Sequence, residues 1–380
     1  MKIFHTSDWH LGRMLYGRSL LEDQKYFLNK MLYPQLAEES PDLLIIAGDI
    51  YDRQIASTEA IQLFDHFLTQ MTQLKIPVAI IAGNHDGAER MALAKELLRR
   101  SGVYISTNLD DAQVPITWEK DGEKAQIFLL PYLDPSVVRD YFQDDSLKGE
   151  SACMRRAVAL LKDKFEDGST KVLVSHCFVA GSLTSDSESG LWVGGSAEVS
   201  ADIWEDFDYV ALGHLHKAQK AGKNGRYAGS PLKYSVDEQH HKKSFVKLNL
   251  TKANIETELV QIKPLREVRR ISGEFSDLMK QAKENPTDEG KEDYVEIELL
   301  DKNPVLLAAE RLREYYPNLL AVSNRWVAET AATQQIESRK QQDDLTIFTS
   351  FLSEICQMES GEAEEKWFNA TMHGVREEEQ

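Results

Sequence analysis

Residues 78–86 read Val-Ala-Ile-Ile-Ala-Gly-Asn-His-Asp, an apolar run that ends in polar side chains able to hold a metal ion. Four further apolar runs lead in the same way to Asp8 and His10, to Asp49, to His176, and to His214 and His216. A sixth run, residues 127–130, ends at Pro131 and carries no such side chain. Short continuous apolar runs are typical of strands in a sheet that is covered on both faces. Because the ligands of such sheets gather outside the carboxyl ends of the strands, we expect five segments to meet at one edge.

Helical periodicity fills the stretches between these runs. Residues 57–74 and 88–100 each place apolar side chains at spacings of three and four, which predicts one amphipathic helix in each stretch. Alternating strands and helices predict an α/β domain over residues 1–262.

The remainder of the chain divides into two parts. Residues 263–331 read as a small α+β domain, with strands at 266–271, 294–299 and 319–322 and helices at 274–284 and 305–315. Residues 332–380 form a polar tail with apolar side chains at helical spacing. Those apolar side chains either pack on the α+β domain or dock on a partner as a helical hook.

Composition narrows the class of protein. Hydrophobic residues make up 42% of the chain and charged residues 28%, as in soluble globular proteins. No apolar stretch approaches the roughly 20 residues of a membrane span, and the N-terminus lacks the features of a signal peptide. The three cysteines are scattered, which argues against a disulfide framework. We therefore expect a cytoplasmic protein with no membrane partner.

The net charge of −18 is unfavourable for a protein that binds nucleic acid unaided, because phosphate contacts need Lys and Arg. Residues 216–247, however, hold eight Lys and Arg against two acidic residues. This segment is either an ordinary solvated hairpin or a surface for phosphate. Its candidate DNA contacts are Lys217, Arg226, Lys233, His241, Lys242 and Lys243.

The polar side chains at the strand ends suit a pair of metal ions. We expect the first ion to take Asp8, His10, Asp49 and His216, and the second to take Asp49, Asn84, His176 and His214. Two ions about 3.5–4 Å apart would clamp a phosphate and hold a hydroxide between them. Nitrogen and oxygen donors without thiolate favour Mn, Fe or Zn over Mg.

His85 lies next to a predicted ligand, but we place it outside the ligand set. A phosphodiester leaves as an alkoxide, which needs a proton, and imidazole titrates near neutral pH. We therefore predict that His85 is catalytic and assists the leaving oxygen.

The motifs Asp8-x-His10, Gly48-Asp49, Gly83-Asn84-His85-Asp86, His176 and Gly213-His214-x-His216 together resemble those of the calcineurin-like metallophosphoesterases. The resemblance implies a two-sheet sandwich flanked by helices and a dinuclear metal centre. Residues 5–13, 185–195 and 227–235 are similar to segments of a narrower family, SbcD, the nuclease subunits of bacterial SbcC–SbcD complexes.

This narrower resemblance implies a manganese-dependent DNA nuclease that acts in DNA repair, recombination and replication. It implies 3′-to-5′ exonuclease action on double strands and endonuclease action that includes hairpins. It further implies a DNA-capping role for the α+β domain and a homodimer joined by helices that include the one after His85. An SbcC-type ATPase would bind the tail helices, residues 332–380.

Two alternatives stay open. One is a phosphodiesterase of the same superfamily that acts on small molecules or nucleotides, against which the α+β domain, the basic segment and the apolar tail argue. The other is a non-catalytic adaptor that delivers DNA to an ATPase, against which the complete ligand set argues.

Overall fold

The computed structural model describes residues 1–120, 122–188, 198–251, 254–284, 289–326, 345, 348–349, 361, 363–368 and 371. The chain forms two compact units, residues 1–270 with 289–295, and residues 271–288 with 296–380. Most of the predicted helical tail, residues 332–380, lies outside the described residues. Within the described residues, no helix is long and apolar enough to cross a membrane.

Two six-stranded sheets form the framework of the first unit. The first sheet has the order β12-β11-β1-β2-β3-β4, in which β1 to β4 run parallel and β11 and β12 are antiparallel additions. Its strands are β1 (Lys2–Thr6), β2 (Leu43–Ile46), β3 (Val78–Ile81), β4 (Val103–Ser106), β11 (Ser244–Leu250) and β12 (Ile255–Gln261).

The second sheet has the order β9-β10-β8-β7-β6-β5, with β6, β7, β8 and β10 parallel. Its edge strands β5 and β9 are antiparallel to their neighbours. The strands are β5 (Ile116–Lys120), β6 (Glu123–Leu130), β7 (Thr170–His176), β8 (Tyr209–Gly213), β9 (Gln219–Ala221) and β10 (Gly225–Tyr227).

Alternate residues of each central strand are buried against different layers, which explains the continuous apolar runs. Ile3, Ile45 and Ala79 of the first sheet share one buried cluster with Ile127 and Val172 of the second. The intervening side chains of each sheet pack against that sheet's own helices. The predicted α/β fold of two sheets flanked by helices is therefore confirmed.

Helices cover the outer faces of both sheets. They span Leu21–Tyr26, Tyr33–Glu39, Thr58–Leu74, Ala88–Met91, Lys95–Arg99, Leu109–Ala112, Pro135–Phe142 and Gly149–Lys162, with a π-helix at Phe27–Leu32. Short 3₁₀ turns occur at Asp186–Glu188, Ala201–Trp204 and Asp237–His240. Two small ribbons pair Met14–Leu15 with Arg18–Ser19 and Phe178–Val179 with Glu198–Val199.

One predicted helix is wrong. Residues 88–100 form two short helices rather than one, because Ala94 between them is left-handed with φ 58°. The break turns Leu93 and Leu97 outward, so that 79% and 64% of their surfaces are exposed. A single helix would place Leu93 and Leu97 on one face, because they are four residues apart.

The second unit contains most of a three-stranded sheet of order β13-β14-β15, with strands β13 (Val268–Gly273), β14 (Tyr294–Leu299) and β15 (Leu319–Asn324). The division between the units runs through β13 and β14. Two helices, Phe275–Glu284 and Ala308–Arg313, belong to this unit, and a 3₁₀ turn spans Glu289–Glu292 before β14. Every strand and helix that the sequence predicts between residues 266 and 322 is present; the strand at 294–299 has the predicted ends, and the ends of the other four elements differ by up to three residues.

Candidate metal centre

The loops after β1, β2, β3, β7 and β8 meet at one edge of the two sheets. The loop after β1 runs beside the loop after β2, because the N–H groups of Asp8 and His10 donate to the carbonyl oxygens of Gly48 and Asp49 at 3.0 and 2.9 Å. The N–H of His214 donates to Oδ1 of Asp8 at 2.9 Å, which ties the second sheet to the first. Parallel strands thus end together and bring their polar side chains to one place.

Glycines allow these loops to approach so closely. A Cβ on Gly83 would lie 2.1 Å from Oδ1 of Asp49, and a Cβ on Gly213 would lie 1.8 Å from the carbonyl oxygen of Ala47. Glycine is therefore required before Asn84 and before His214 because a side chain would not fit there, and not because the backbone needs a positive φ.

Four of the predicted ligands stand on left-handed backbone. The φ values are 54° for Asp8, 43° for His10, 49° for Asp49 and 103° for His214. Such conformations are unfavourable for residues with a side chain, and they concentrate at functional sites.

Asp49 lies at the centre of the cluster. Its Oδ2 is 3.6 Å from Nε2 of His10 on one side and 3.3 Å from Nε2 of His176 on the other. Its Oδ1 accepts a hydrogen bond from the N–H of His85 at 2.9 Å, which fixes the orientation of the carboxylate. The carboxylate therefore faces two groups of donors at once.

The other predicted ligands divide between the two sides. Nε2 of His216 lies 3.1 Å from Nε2 of His10 on the first side. Oδ1 of Asn84 lies 3.0 Å from Nε2 of His176 and 3.1 Å from Nδ1 of His214 on the second side. Asp8 groups with His10 and His216 and also with Asp49 and His176, within 4.8 Å in each case. The structure thus brings all seven predicted ligands together.

Groups behind the cluster orient the imidazole rings of the histidines. Nδ1 of His176 donates to the carbonyl oxygen of Ala47 at 2.8 Å, so Nε2 is the nitrogen of this ring that faces Asp49. Nδ1 of His10 has no hydrogen-bond partner among the described residues and lies 3.8 Å from Oδ1 of Asp52. Carboxylates and carbonyls in such positions are typical of histidines that bind metals.

Burial and charge shift the titration of these groups in opposite directions. Burial raises the pKa of Asp8 to about 6 and lowers the pKa of His214 to about 3. Burial also lowers the pKa of His176, but the charge of Asp49, the hydrogen bond to it, the charge of Asp8 and the hydrogen bond to Ala47 together outweigh burial and raise the pKa to about 9. Burial opposes the ionisation of Asp49, but the charge of His176 and the hydrogen bond from its ring hold the pKa of Asp49 well below its usual range.

The residues present fit a pair of divalent cations. Two imidazole nitrogens 3.1 Å apart cannot both direct lone pairs at each other without a proton or cation between them. The cluster contains imidazole, carboxylate and amide donors and no thiolate, which suits Mn, Fe or Zn.

His85 and Asp86, in the same loop as Asn84, have other surroundings. Nδ1 of His85 donates to the carbonyl oxygen of Asp52 at 3.0 Å, and the ring is only partly buried. The carboxylate of Asp86 accepts from the N–H groups of Gly83, Ile50 and Tyr51 at 2.9 to 3.2 Å. Asp86 therefore shapes the turn and does not face the cluster.

A cavity of about 290 Å³ opens beside the cluster and is lined by Asn84, His85 and His214. Arg13, Tyr132, Glu150 and Ser187 also line it, and sequence reasoning gave none of them a role in the site. Tyr132 could have been found, because it follows the sixth apolar run, whose strand lies parallel to β7. Glu150 could not have been found in this way, because it lies on the helix Gly149–Lys162 and reaches the cavity only through the tertiary fold.

The predicted DNA contacts differ widely in exposure. Lys242 is exposed, and Lys217, Arg226, Lys233 and His241 are partly buried. Nζ of Lys233 donates to Oε2 of Glu267 at 2.5 Å.

Lys243 does not fit the role predicted for it. Its side chain is buried, and Nζ donates to the carbonyl oxygen of His216, to Oγ of Ser230 and to the carboxylate of Glu238. The prediction that Lys243 contacts DNA is therefore wrong, because its ammonium is buried and paired with Glu238.

Comparisons with known proteins agree with this arrangement. Residues 1–218 match the family model described as calcineurin-like phosphoesterase. Residues 264–355 match a second model, SbcD_C, described as the C-terminal domain of the type 5 capsule protein repressor. The chain is 35% identical over 354 residues to the D subunit of the nuclease SbcCD from Staphylococcus epidermidis, and the match covers 92% of each chain.

Two solved structures found in the comparison are less similar to the chain. TT1561 of Thermus thermophilus is 15% identical with a TM-score of 0.37, over 68% of this chain and 98% of the other. A β-glucosidase from Exiguobacterium marinum is 8% identical with a TM-score of 0.23, over 85% of this chain and 88% of the other. Likenesses this weak carry no argument about the site.

Proposed function

Since this chain belongs to the family of calcineurin-like phosphoesterases, we propose that it cleaves DNA as the nuclease subunit of an SbcC–SbcD-type complex. Metal-dependent hydrolysis of phosphodiesters follows from the family and from the relative in Staphylococcus epidermidis. One observation supports the proposal most: Oδ2 of Asp49 lies between Nε2 of His10 and Nε2 of His176. The 3′-to-5′ exonuclease, the hairpin endonuclease and a place in DNA repair, recombination and replication are parts of the proposal.

Two divalent ions, manganese in the cell, would be held on the two sides of Asp49. Asp8, His10 and His216 would join Asp49 at the first ion, and Asn84, His176 and His214 would join it at the second. When bound, the ions supply a hydroxide nucleophile and neutralise charge on the phosphate. The protein itself contributes rigidity, since hydrogen bonds such as that from His176 to Ala47 fix the ligand rings.

His85 is suited to assist the leaving oxygen. Because its Nδ1 donates to the carbonyl of Asp52, its Nε2 is the nitrogen left for the substrate. The ring lines the cavity beside Asn84 and His214. A proton on Nε2 would be delivered to the departing alkoxide, which is general acid catalysis.

We expect His85→Ala to separate catalysis from metal binding. Turnover should fall by about 10²–10⁴-fold, the usual size of a general acid contribution, while calorimetry still detects the same Mn²⁺ affinity. His66→Ala, on the exposed face of the helix Thr58–Leu74, serves as the control and should change neither. Full turnover in His85→Ala would exclude the assigned role.

The substrate class is tested with Mn²⁺ on hairpin DNA, double-stranded DNA, bis-nitrophenyl phosphate and cyclic nucleotides. We expect both DNA substrates to be cut and the activity to disappear in Asp49→Asn. Cleavage of the small esters alone would favour the small-molecule phosphodiesterase. Binding of Mn²⁺ and DNA without cleavage of any substrate would favour the adaptor.

DNA would approach over Lys217, Arg226, His241 and Lys242 of the basic segment, and Lys233 would join them only by leaving its ion pair with Glu267. The exposed Lys242 is the simplest to test, because loss of one phosphate contact lowers the salt slope of binding by about one. Lys242→Glu should weaken binding of all DNA sequences alike. Unchanged affinity at low salt would remove Lys242 from the interface.

The partners belong to the proposal too. Leu93 and Leu97 are exposed just beyond the metal loop, and apolar side chains in such positions mark interfaces. We propose that they lie in a homodimer interface. The double variant Leu93→Asp, Leu97→Asp should therefore sediment as a monomer, and the wild type as a dimer.

Residues 332–380 would bind an SbcC-type ATPase. A chain that ends at residue 331 should keep phosphodiesterase activity and no longer bind the ATPase. Retained ATPase binding by that shorter chain would contradict the assignment.

A further inference from the structure

Ser187 connects a proposed metal ligand to a buried ion pair. Its Oγ lies 2.6 Å from Nδ1 of His216 and 2.5 Å from Oε1 of Glu238. The side chain of Glu238 is fully buried, and its Oε2 accepts from the ammonium of Lys243, which is also buried. The contacts therefore run without a gap from an internal ion pair, through one hydroxyl, to an imidazole at the cluster.

The direction of these hydrogen bonds follows from the number of protons. The carboxylate of Glu238 is paired with the ammonium of Lys243 and also accepts from the N–H of Tyr234 at 3.2 Å and from Oγ of Ser235 at 3.1 Å. The ionised carboxylate can only accept, so the single hydroxyl proton of Ser187 points to Glu238. Oγ then offers only lone pairs to His216, and Nδ1 of His216 must be the donor.

This direction decides which nitrogen of His216 is available to a cation. With its proton on Nδ1, the neutral imidazole has its lone pair on Nε2. Nε2 faces Nε2 of His10 at 3.1 Å, on the side of the cluster where the first ion is expected. The opposite tautomer would place the lone pairs of Nδ1 and Ser187 against each other at 2.6 Å.

We propose that Ser187, supported by Glu238 and Lys243, is a positioning residue that fixes the tautomer of His216 and prepares Nε2 for a metal ion. The inference rests on the metal centre proposed above, because it assumes that His216 is a ligand. Acceptors behind metal-binding histidines typically contribute 10- to 100-fold in metal affinity.

The serine is itself held in place from several directions. Nη2 of Arg13 donates to the carbonyl oxygen of Ser187 at 3.1 Å. The carboxylate of Glu188 accepts from the backbone N–H of His216 and, at 3.0 Å, from Oγ of Ser185. Nζ of Lys243 donates to the carbonyl oxygen of His216 at 2.9 Å. Backbone and ring of His216 are thus fixed by the same two segments, residues 185–188 and 238–243.

Two measurements test the role of Ser187, and neither needs catalysis. The first is the ¹⁵N chemical shifts of His216 in the metal-free full chain, which report the tautomer. The second is the affinity for Mn²⁺ by calorimetry. We expect Ser187→Ala to lose the uniform Nδ1–H state and to bind one of the two Mn²⁺ ions, the one assigned to His216, at least tenfold less tightly.

Two variants separate this role from mere anchoring of the loop. Ser185→Ala removes a neighbouring hydroxyl that donates to Glu188 and lies 3.4 Å from Oγ of Ser187 without contacting His216, and it should change the Mn²⁺ affinity less than threefold. Ser187→Thr keeps the hydroxyl and should restore both the tautomer and most of the affinity.

An unchanged tautomer and an unchanged Mn²⁺ affinity in Ser187→Ala would overturn the inference, even if that variant lost activity. An equal loss of affinity in Ser185→Ala would overturn it too, because the loop and not the hydroxyl would then be responsible. Failure of the metal centre itself would look different, since the wild type would bind no pair of Mn²⁺ ions while its His216 tautomer could still be measured.

Discussion

Asp8, His10 and Asp49 hold their side chains on left-handed backbone, at about 1–3 kcal/mol each for conformations of this kind. Hydrogen bonds between the loops, such as those from Asp8 to Gly48 and from His10 to Asp49, offset part of that cost. The side chains are therefore held in position before any ligand arrives. Preorganisation of this kind is what a site needs if binding is not to pay for ordering.

At the same scale, Gly83→Ala should disable the centre. Its new methyl would lie 2.1 Å from Oδ1 and 2.4 Å from the backbone nitrogen of Asp49, so the two loops must move apart. We expect the free energy of unfolding to fall by about 1–3 kcal/mol, as measured by urea denaturation, and Mn²⁺ binding to weaken at least tenfold. Gly181→Ala also places a side chain on left-handed backbone, at φ 79°, but its methyl meets nothing within 4 Å. It should therefore cost stability and leave Mn²⁺ binding unchanged; equal binding by both variants would contradict the close approach.

His176 should release a proton when metal binds. Asp49 raises the pKa of His176 from 6.5 to about 9 in the metal-free fold, so the ring is protonated at neutral pH. Its contribution to stability is complete below pH 6.5 and is lost as the pH rises through about 9. A metal must displace that proton, and its affinity should therefore rise by up to tenfold per pH unit below pH 9.

Calorimetry at pH 7.5 in buffers of different ionisation enthalpy measures this release. The observed heat should vary linearly with the buffer enthalpy. Heats that do not depend on the buffer would show that His176 is neutral before binding.

At the scale of elements, the strands and their polar ends could be predicted because period and position carry the signal. The break within residues 88–100 could not be predicted, because the left-handed turn at Ala94 leaves the apolar spacing of the sequence unchanged. The contacts of Glu238 could not be predicted either. Its partner Ser187 is about fifty residues away in the chain, and its partner Lys243 is five residues away, which is not a spacing that pairs side chains in a helix or strand. The predicted metal ligands follow the ends of strands. The residues that support them, such as Ser187 and Glu238, lie in segments with no fixed place relative to a strand.

The helix Thr58–Leu74 offers a test of local stability beside the centre. Oγ of Ser57 accepts from the N–H of Ala60 at 3.2 Å, as an N-cap does. Ser57→Ala should therefore lower the free energy of unfolding by about 1 kcal/mol. Thr69→Ala, at an exposed position of the same helix, should change it by less than about 0.5 kcal/mol; a loss as large as that of Ser57→Ala would contradict the capping role.

At the scale of the whole molecule, net charge and local charge lead to different expectations. The chain carries −18 overall, and the basic segment suggests a compensating surface. Lys243 and Lys233 are instead paired with Glu238 and Glu267, so less free positive charge remains than the sequence suggests. An acidic protein whose basic segment loses two of its eight cations to internal ion pairs would depend on a partner for much of its DNA contact.

Anomalous diffraction from crystals of the full chain soaked in Mn²⁺ is the most direct test of the central claim, that two cations share Asp49. We predict two peaks about 3.5–4 Å apart, one beside His10 and His216 and the other beside Asn84, His176 and His214. A single peak remote from Asp49, or none at saturating Mn²⁺, would contradict the two-metal centre.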